Sequence, residues 1–336
     1  MSTKRIAYID ALRGFTMILV VYQHISLFMG GVNGYGSIWS EALTSFRMPL
    51  FFFISGYIAY KVIDWTPQIY AKLLLKKAQI QLIPTFIFSI IYTTVFYSHT
   101  RIYAGEYWFT LVLFEFFVLF YTISLIAHRC DYLKLILLLL LACVGIVFFA
   151  LHMGQDWSCY QQLCLVNVFQ YFQFFVLGIL SRRYEAIMKK ILCNSIVNAI
   201  AVGIFVLSLI LISSTEVLDI AILRGLIRSI ILRYSGLFIV LSLFYRHQDF
   251  FAANGKISQA MQYIGRHTLD IYMLHYFFID FGGTLAGKIH NLGYLPLEIF
   301  GIGILALMNI VLSLGLSQCI RNSKLLAKYL FGARTA

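Results

Sequence analysis

Residues 10–26 read DALRGFTMILVVYQHIS, an apolar stretch with ionisable groups towards both ends. Its length suits a helix that crosses the hydrocarbon core of a bilayer, which takes about 20 apolar residues. Arg13 and His24 are eleven positions apart, and about 100° of rotation per residue places both on one face, roughly 16 Å apart along the axis. Asp10 lies three residues before Arg13 and can meet it on that face. Because ionisable groups at membrane depth are costly, this face predicts a functional site.

The composition places the whole chain in a membrane. Of 336 residues, 61% are hydrophobic and only 12% are charged, about half the charged fraction of an ordinary soluble domain. A soluble protein of this length needs a polar shell that this composition does not provide. The sequence therefore predicts an all-α polytopic membrane protein, with a single domain over residues 1–336.

Ten segments are long and apolar enough to be predicted as transmembrane helices. Their approximate bounds are 11–29, 46–63, 81–98, 107–127, 135–152, 166–180, 194–213, 225–245, 267–285 and 297–320.

The positive charges predict the orientation. With the N-terminus inside, 20 of the 26 Lys and Arg residues fall in cytoplasmic stretches, as the positive-inside rule requires. Both termini are therefore expected in the cytoplasm. The net charge of +12 then reflects membrane insertion, and no nucleic-acid partner is expected.

The cysteines give no metal or redox motif, because no pair has CxxC spacing, and no metal site is expected. Cys159 and Cys164 share one predicted loop. They are either two free thiols or, in an oxidising compartment, a disulfide.

Nine ionisable residues lie in or at the ends of the apolar segments, and each has a structural alternative. Asp10 and Arg13 could be an interfacial ion pair that anchors the helix, and His24 an interhelical hydrogen-bonding group. Glu115 could be a protonated acid bonded across helices. Solvation at a helix end explains Asp270 and Asp280 about as well as function does. The nine are Asp10, Arg13, His24, Arg47, Glu115, Asp270, His275, Asp280 and Glu298.

Four sequence patches, in order, resemble the acyltransferase-3 family of bacterial membrane acyltransferases. YIDALRGFTMILVVYQH resembles the family's first helix, whose signature is an Arg and a His separated by ten residues, here Arg13 and His24. FRMPLFFFISGYI resembles the second helix, YWF at residues 107–109 opens the fourth, and YIGRHTLDIYMLHYFF resembles a late helix. The matching positions in the second and late helices are Arg47, Pro49, Phe51, Phe52, Ser55, Gly56, Gly265, Tyr272 and His275.

The resemblance implies transfer of an acyl group, commonly acetyl, from a cytoplasmic acyl-CoA to a hydroxyl of an envelope carbohydrate or glycolipid. It also implies a location in a bacterial cytoplasmic (inner) membrane. Acetyl-CoA is then a donor substrate, and no permanently bound cofactor is expected. An imidazole at His24 suits a general base, and a covalent acyl-histidine is a second possibility. Arg13 and Glu115 join His24 as candidate catalytic residues, Glu115 either to orient His24 or to bind an acceptor hydroxyl.

Further residues are candidates for the two substrates. A basic cytoplasmic mouth can hold the donor phosphates, and an oxyanion needs a hydrogen-bond donor or a cation. The donor candidates are Asp10, Arg13, Lys76 and Lys77. The candidates for the acceptor or the oxyanion are Arg47, Ser55, Tyr272 and His275, and Trp39 is a candidate for stacking on a sugar ring.

One stretch departs from the family pattern. Members often have two arginines ahead of a proline near the third helix, whereas this chain reads KLLLKKAQIQLIP. Lys76 and Lys77 keep the positive charge, but Gln81 stands where a second arginine is expected. Lysine offers a point charge instead of the planar fork of arginine, so the family's mode of donor binding does not carry over directly.

Two other functions fit the composition. A secondary transporter would also have about ten helices and buried charges, although no internal repeat is evident. A non-catalytic membrane subunit is the third interpretation, but it leaves His24 and Glu115 unexplained.

Overall fold

The computed structural model describes residues 6–27, 42–43, 45–96, 105–157, 159–213, 225–279, 285, 287–289 and 295–332. Secondary structure in these residues is helical throughout. The helices are α1 (Ala7–Leu27), α2 (Arg47–Ala59), α3 (Pro67–Phe96), α4 (Trp108–Ile126), α5 (Asp131–Ala150), α6 (Leu165–Arg183), α7 (Glu185–Cys193), α8 (Ser195–Ser213), α9 (Leu232–Arg246), α10 (Gln248–Ala252), α11 (Lys256–Arg266), α12 (Thr268–Leu274), α13 (Leu295–Arg321) and α14 (Lys324–Phe331). Short 3₁₀ segments precede α4 (Gly105–Tyr107) and follow α12 (His275–Phe278), and a π segment (Ile227–Ile231) precedes α9.

Seven of the described helices are long and apolar enough to cross a membrane: α3 to α6, α8, α9 with its π segment, and α13. The all-α polytopic membrane fold predicted from the sequence is thereby confirmed. The count of ten helices and the cytoplasmic position of both termini stay predictions.

Helix α1 has the length of a membrane span without the matching hydropathy. Its 21 residues extend about 30 Å. The polar side chains of Asp10, Arg13, Gln23 and His24 lower its mean hydropathy, which is why it is not among the seven. A helix of spanning length that carries polar groups inside a polytopic protein marks a functional element.

The second and third helices differ from their predicted bounds. α2 ends at Ala59, not at residue 63, and α3 begins at Pro67, not at residue 81. Thr66 caps α3, since the amide of Ile69 donates to its hydroxyl at 3.3 Å, and Pro67 occupies the first helical position, which proline favours. Lys76 and Lys77 therefore lie on a helix and not in a loop.

The predicted helix 267–285 is interrupted at His275, where α12 gives way to the 3₁₀ segment. The ring nitrogen Nδ1 of His275 lies 2.9 Å from the carbonyl oxygen of Tyr272, the acceptor that the amide of Tyr276 would use in an α-helix. A side chain that enters the backbone ladder in this way disturbs the helix, and short non-α segments inside helices often accompany functional sites.

The chain divides into two compact units. Unit 1 comprises residues 1–51 and 184–317, and unit 2 comprises residues 52–183 and 318–336. α2 and α13 each contribute to both. The single domain predicted from the sequence stays a prediction.

Glycines allow close helix packing within unit 1. A Cβ at Gly265 of α11 would overlap the carbonyl oxygen of Asp10, and one at Gly14 of α1 would overlap that of Met261. The two backbones are therefore in direct contact, as small residues permit between membrane helices. This contact brings α11, and with it α12, against the polar end of α1.

Unit 2 contains an equivalent contact. A Cβ at Gly56 of α2 would overlap the carbonyl oxygen of Phe175 in α6, and one at Gly178 of α6 would overlap that of Phe53. Gly56 and Gly265 are both among the positions that carry the family resemblance, and the structure assigns each a steric reason.

Candidate active site

Two histidines from distant parts of unit 1 meet at the predicted site. His24 Nδ1 lies 2.8 Å from His275 Nε2, and their ring planes are only 18° apart. His275 has no exposed surface, whereas His24 is half-buried. The hydrogen bond therefore holds a partly accessible imidazole against a buried one.

His275 is held by the backbone around it. Its Nδ1 lies 3.0 Å from the carbonyl oxygen of Ile271 and 2.9 Å from that of Tyr272. Asn309 of α13 donates from Nδ2 to the carbonyl oxygen of His275 at 3.1 Å, and the Ser313 hydroxyl donates to the carbonyl of Asn309. Buried polar groups that satisfy one another in this way fix a side-chain orientation.

The other ring nitrogen of His24 has a looser neighbour. The hydroxyl of Tyr276 lies 3.4 Å from His24 Nε2, at the long end of hydrogen-bond distances. Tyr276 also packs against both imidazoles, with ring centroids 4.0 Å from His275 and 5.0 Å from His24. His24 is thus held firmly at Nδ1 and weakly at Nε2.

Arg13 anchors the other end of the polar face of α1. Its Nη2 donates to the hydroxyl of Thr268, the first residue of α12, at 2.8 Å. The segment 268–278 therefore provides a hydrogen-bond partner for both predicted residues of α1. Thr268 bonds to Arg13 and His275 bonds to His24. Asp10 lies in the first turn of α1, where its carbonyl packs against Gly265.

Two more predicted residues join this site. Arg47, the first residue of α2, lies close enough for its charge to act on His24. The ring of Tyr272 lies 5.9 Å from that of His275.

Asp270 is also in unit 1, but helix-end solvation is the wrong explanation for it. It is buried, at 2% exposure, and accepts a hydrogen bond from Ser317 at 2.6 Å.

The remaining candidates belong to unit 2. Lys76 is exposed on α3, and Lys77 points instead at the ring of Phe117, with Nζ 3.5 Å from its centroid. Gln81 is buried on the same face as Lys77. Ser55 is half-buried on α2.

Glu115 is a half-buried residue of α4 whose two carboxyl oxygens are buried. Neither of its carboxyl oxygens has a hydrogen-bond partner among the described residues. Glu115 and His24 fall in different units, so its expected role in orienting His24 stays a prediction.

Cys159 and Cys164 are free thiols. Burial, reinforced by the negative charge of Glu115, raises the pKa of the Cys164 thiol to about 11. Cys159 is exposed. Of the other candidates, Trp39 and Asp280 lie outside the described residues.

Sequence reasoning missed three residues of the site: Tyr276, Thr268 and Asn309. Tyr276 directly follows His275, and an aromatic residue in an aromatic run gives no signal of its own. Asn309 is detectable in principle, since it is a lone amide in the apolar stretch ALMNIVL, and polar residues at membrane depth are candidates by default.

Comparison with known proteins supports the resemblance found in the sequence. The search of the curated proteins and the search of the solved structures each found no match. The family model described as an acyltransferase domain, that of the acyltransferase-3 family, matches residues 6–317. This match includes α1, the histidine pair and nearly all of α13. The chain therefore belongs to the acyltransferase-3 family of membrane acyltransferases.

Proposed function

We propose that this membrane acyltransferase moves an acetyl group from cytoplasmic acetyl-CoA to a hydroxyl of an envelope carbohydrate or glycolipid, with His24 as general base. The observation that carries the proposal is the unequal holding of the His24 ring. Its Nδ1 is bonded to a buried residue at 2.8 Å, while among the described residues its Nε2 has only the contact with Tyr276 at 3.4 Å. A general base needs one fixed ring position and one nitrogen that the substrate can reach.

In the proposed reaction one acyl group moves from sulfur to oxygen, one proton moves from the acceptor to the CoA thiolate, and His24 returns to its starting state. His24 Nε2 takes the proton of the acceptor hydroxyl while the oxygen attacks the thioester carbonyl. The carbonyl oxygen gains negative charge, the new C–O bond forms and the C–S bond breaks. The proton on His24 then neutralises the departing CoA thiolate, and the base is regenerated.

Arg47 is the best candidate to stabilise the oxyanion. Its charge lies near His24, and a fixed cation beside a developing negative charge lowers the barrier in a site that excludes water. Tyr272 is a second candidate donor from the same segment as His275.

The donor phosphates are assigned to the basic groups predicted at the cytoplasmic mouth. Arg13 lies on the same face as His24, at a separation comparable with the length of a pantetheine arm. Lys76 is exposed and suits a phosphate better than Lys77, whose ammonium group contacts Phe117. Asp10 is the remaining candidate for the donor site, and we assign it the role of orienting Arg13, three residues later on the same helix face.

Glu115 is assigned to the acceptor. A carboxyl group whose oxygens have no hydrogen-bond partner in the described residues can bind sugar hydroxyls at little cost, because it loses no existing bond. Ser55, in the same unit, is a second candidate for such a contact.

A secondary transporter is the alternative that Glu115 also favours, since buried acids in membrane helices serve as proton relays. The two functions differ in what happens to the donor. We expect vesicles from the native host, which contain the acceptor, to move radiolabel from [acetyl-¹⁴C]acetyl-CoA into envelope carbohydrate or glycolipid when this chain is present. Uptake of a polar substrate without acetyl transfer would favour the transporter instead.

A further inference from the structure

We propose that His275 is a positioning residue that selects the tautomer of His24, so that the His24 lone pair lies at Nε2. The inference rests on the proposed role of His24 as base. It assigns His275 a role other than the acceptor or oxyanion contact expected from the sequence.

The contacts of His275 determine which of its ring nitrogens carries the hydrogen. Its Nδ1 faces two backbone carbonyl oxygens, those of Ile271 at 3.0 Å and Tyr272 at 2.9 Å. A carbonyl oxygen only accepts, so Nδ1 must carry the hydrogen. A neutral imidazole has one N–H, and Nε2 of His275 is therefore an acceptor.

The tautomer of His275 in turn determines the tautomer of His24. His24 Nδ1 lies 2.8 Å from that acceptor, so it must be the donor in the bond between the rings. The single N–H of neutral His24 is then at Nδ1, and Nε2 carries the lone pair. Tyr276, 3.4 Å away, donates its hydroxyl hydrogen to this nitrogen until an acceptor hydroxyl replaces it.

The opposite arrangement is disfavoured by the same contacts. If His24 Nδ1 carried the lone pair, His275 would have to donate from Nε2. Its Nδ1 would then lack a hydrogen, and its lone pair would face two carbonyl oxygens at about 3 Å. Because His275 is fully buried, no solvent would relieve this repulsion.

His275 remains useful after proton transfer. When His24 Nε2 takes the substrate proton, the imidazolium still donates from Nδ1 to His275 Nε2, and the positive charge is shared along that bond. No N–H of His275 is left to contact an oxyanion, since Nδ1 is bonded to the backbone and Nε2 accepts from His24.

Two substitutions separate positioning from packing. His275→Gln keeps an acceptor, because the amide oxygen reaches about as far as Nε2, whereas His275→Leu fills the space without one. We expect His275→Leu to lower kcat for acetyl transfer from acetyl-CoA by about 10³-fold or more, the range seen when a catalytic histidine loses its correct tautomer. The KM for acetyl-CoA should stay within about twofold. His275→Gln should recover at least about tenfold of the lost kcat, and equal activity of the two variants would contradict the proposal.

The tautomer itself can be read without any substrate. The measurement is a long-range ¹H–¹⁵N correlation spectrum of the wild-type protein, labelled with ¹⁵N-histidine, in detergent micelles. The signals of His24 are those that vanish in His24→Gln. We expect a protonated Nδ1 and an unprotonated Nε2, and the reverse assignment would overturn the proposal.

This spectrum also distinguishes failure of the inference from failure of the proposed function. The expected tautomer together with full acetyl transfer by a His24→Ala variant would reject His24 as base and leave the hydrogen-bond assignment standing. The reversed tautomer together with loss of transfer in His24→Ala would reject only the role of His275.

Discussion

Two ionisable residues of this molecule, His24 and Glu115, differ in how their polar atoms are satisfied. His24 in unit 1 belongs to a chain of hydrogen bonds that runs through His275 to Asn309. Glu115 in unit 2 has two buried oxygens with no hydrogen-bond partner among the described residues. A paired network fixes geometry in advance, as catalysis requires, whereas an unpaired acid is ready for a partner that binds later. The difference supports a base at His24 and a substrate contact at Glu115.

Removing the close contact between α1 and α11 should destabilise the protein most, because this contact brings the segments of His24 and His275 together. Gly265→Ala places a Cβ on the carbonyl oxygen of Asp10, and rigid backbone atoms cannot yield as a side chain does. We expect a loss of at least about 3 kcal/mol in the free energy of unfolding, seen as a lower thermal midpoint in detergent and little folded protein. The matched control is Gly303→Ala, where a Cβ meets nothing within 4 Å; an equal loss there would remove the steric explanation.

Removing the ionisable groups themselves should shift stability in opposite directions at the two sites. Glu115→Leu eliminates buried oxygens without partners and should raise the free energy of unfolding by about 1–3 kcal/mol. His24→Leu leaves His275 Nε2 without its donor and should lower it by a similar amount. Denaturation of both purified variants in detergent checks the comparison. A loss of stability in Glu115→Leu would show that Glu115 has a structural partner.

Loss of one positive charge at the proposed donor site should have a milder effect. Lys76→Ala should raise the KM for acetyl-CoA about three- to tenfold, because one exposed charge contact with a phosphate is lost, and the effect should weaken as salt is added. Lys72 lies one turn earlier on α3 and is also exposed, so Lys72→Ala is the matched control. The same KM change in both variants would indicate a general charge effect and not a phosphate contact at Lys76.

The smallest expected effect reports on the charge of Glu115. Burial and the carboxylate of Glu115 raise the pKa of Cys164 to about 11, so at pH 9 only about 1% of this thiol is the reactive thiolate. Glu115→Gln removes the negative charge, lowers the pKa of Cys164 and should speed its alkylation by iodoacetamide a few-fold at pH 9. The exposed Cys159 should react at an unchanged rate in both proteins. If the Cys164 rate does not change, Glu115 carries no charge that Cys164 senses at that pH.

The sequence predicts the helical membrane fold and the polar face of α1, because both depend on local patterns of hydrophobicity and spacing. It also identifies His275 as a candidate, but not as the partner of His24. The two are 251 residues apart in the chain, and only tertiary packing through Gly14 and Gly265 brings their segments together. The role of His275 depends on which atoms face its two nitrogens, which no spacing can predict.

The start of α3 has a local signal in the sequence. Thr66 and Pro67 are the usual start of a helix, whereas the count of apolar residues predicts a helix that begins at residue 81. The counting of apolar residues detects the apolar part of α3 and misses its basic N-terminal extension. The break at His275 has no such signal, since it arises from a bond between a side chain and the backbone of its own helix.

The most direct test of the account is acetyl transfer by a His24→Ala variant. The assay follows radiolabel from [acetyl-¹⁴C]acetyl-CoA into the envelope fraction of native-host vesicles, at equal amounts of membrane-inserted protein. His128→Ala is the matched control, because His128 is an exposed histidine outside the site. The account predicts at least about a 10³-fold loss of transfer in His24→Ala and wild-type transfer in His128→Ala. Transfer by His24→Ala within about tenfold of wild type would contradict the central claim that His24 is the base.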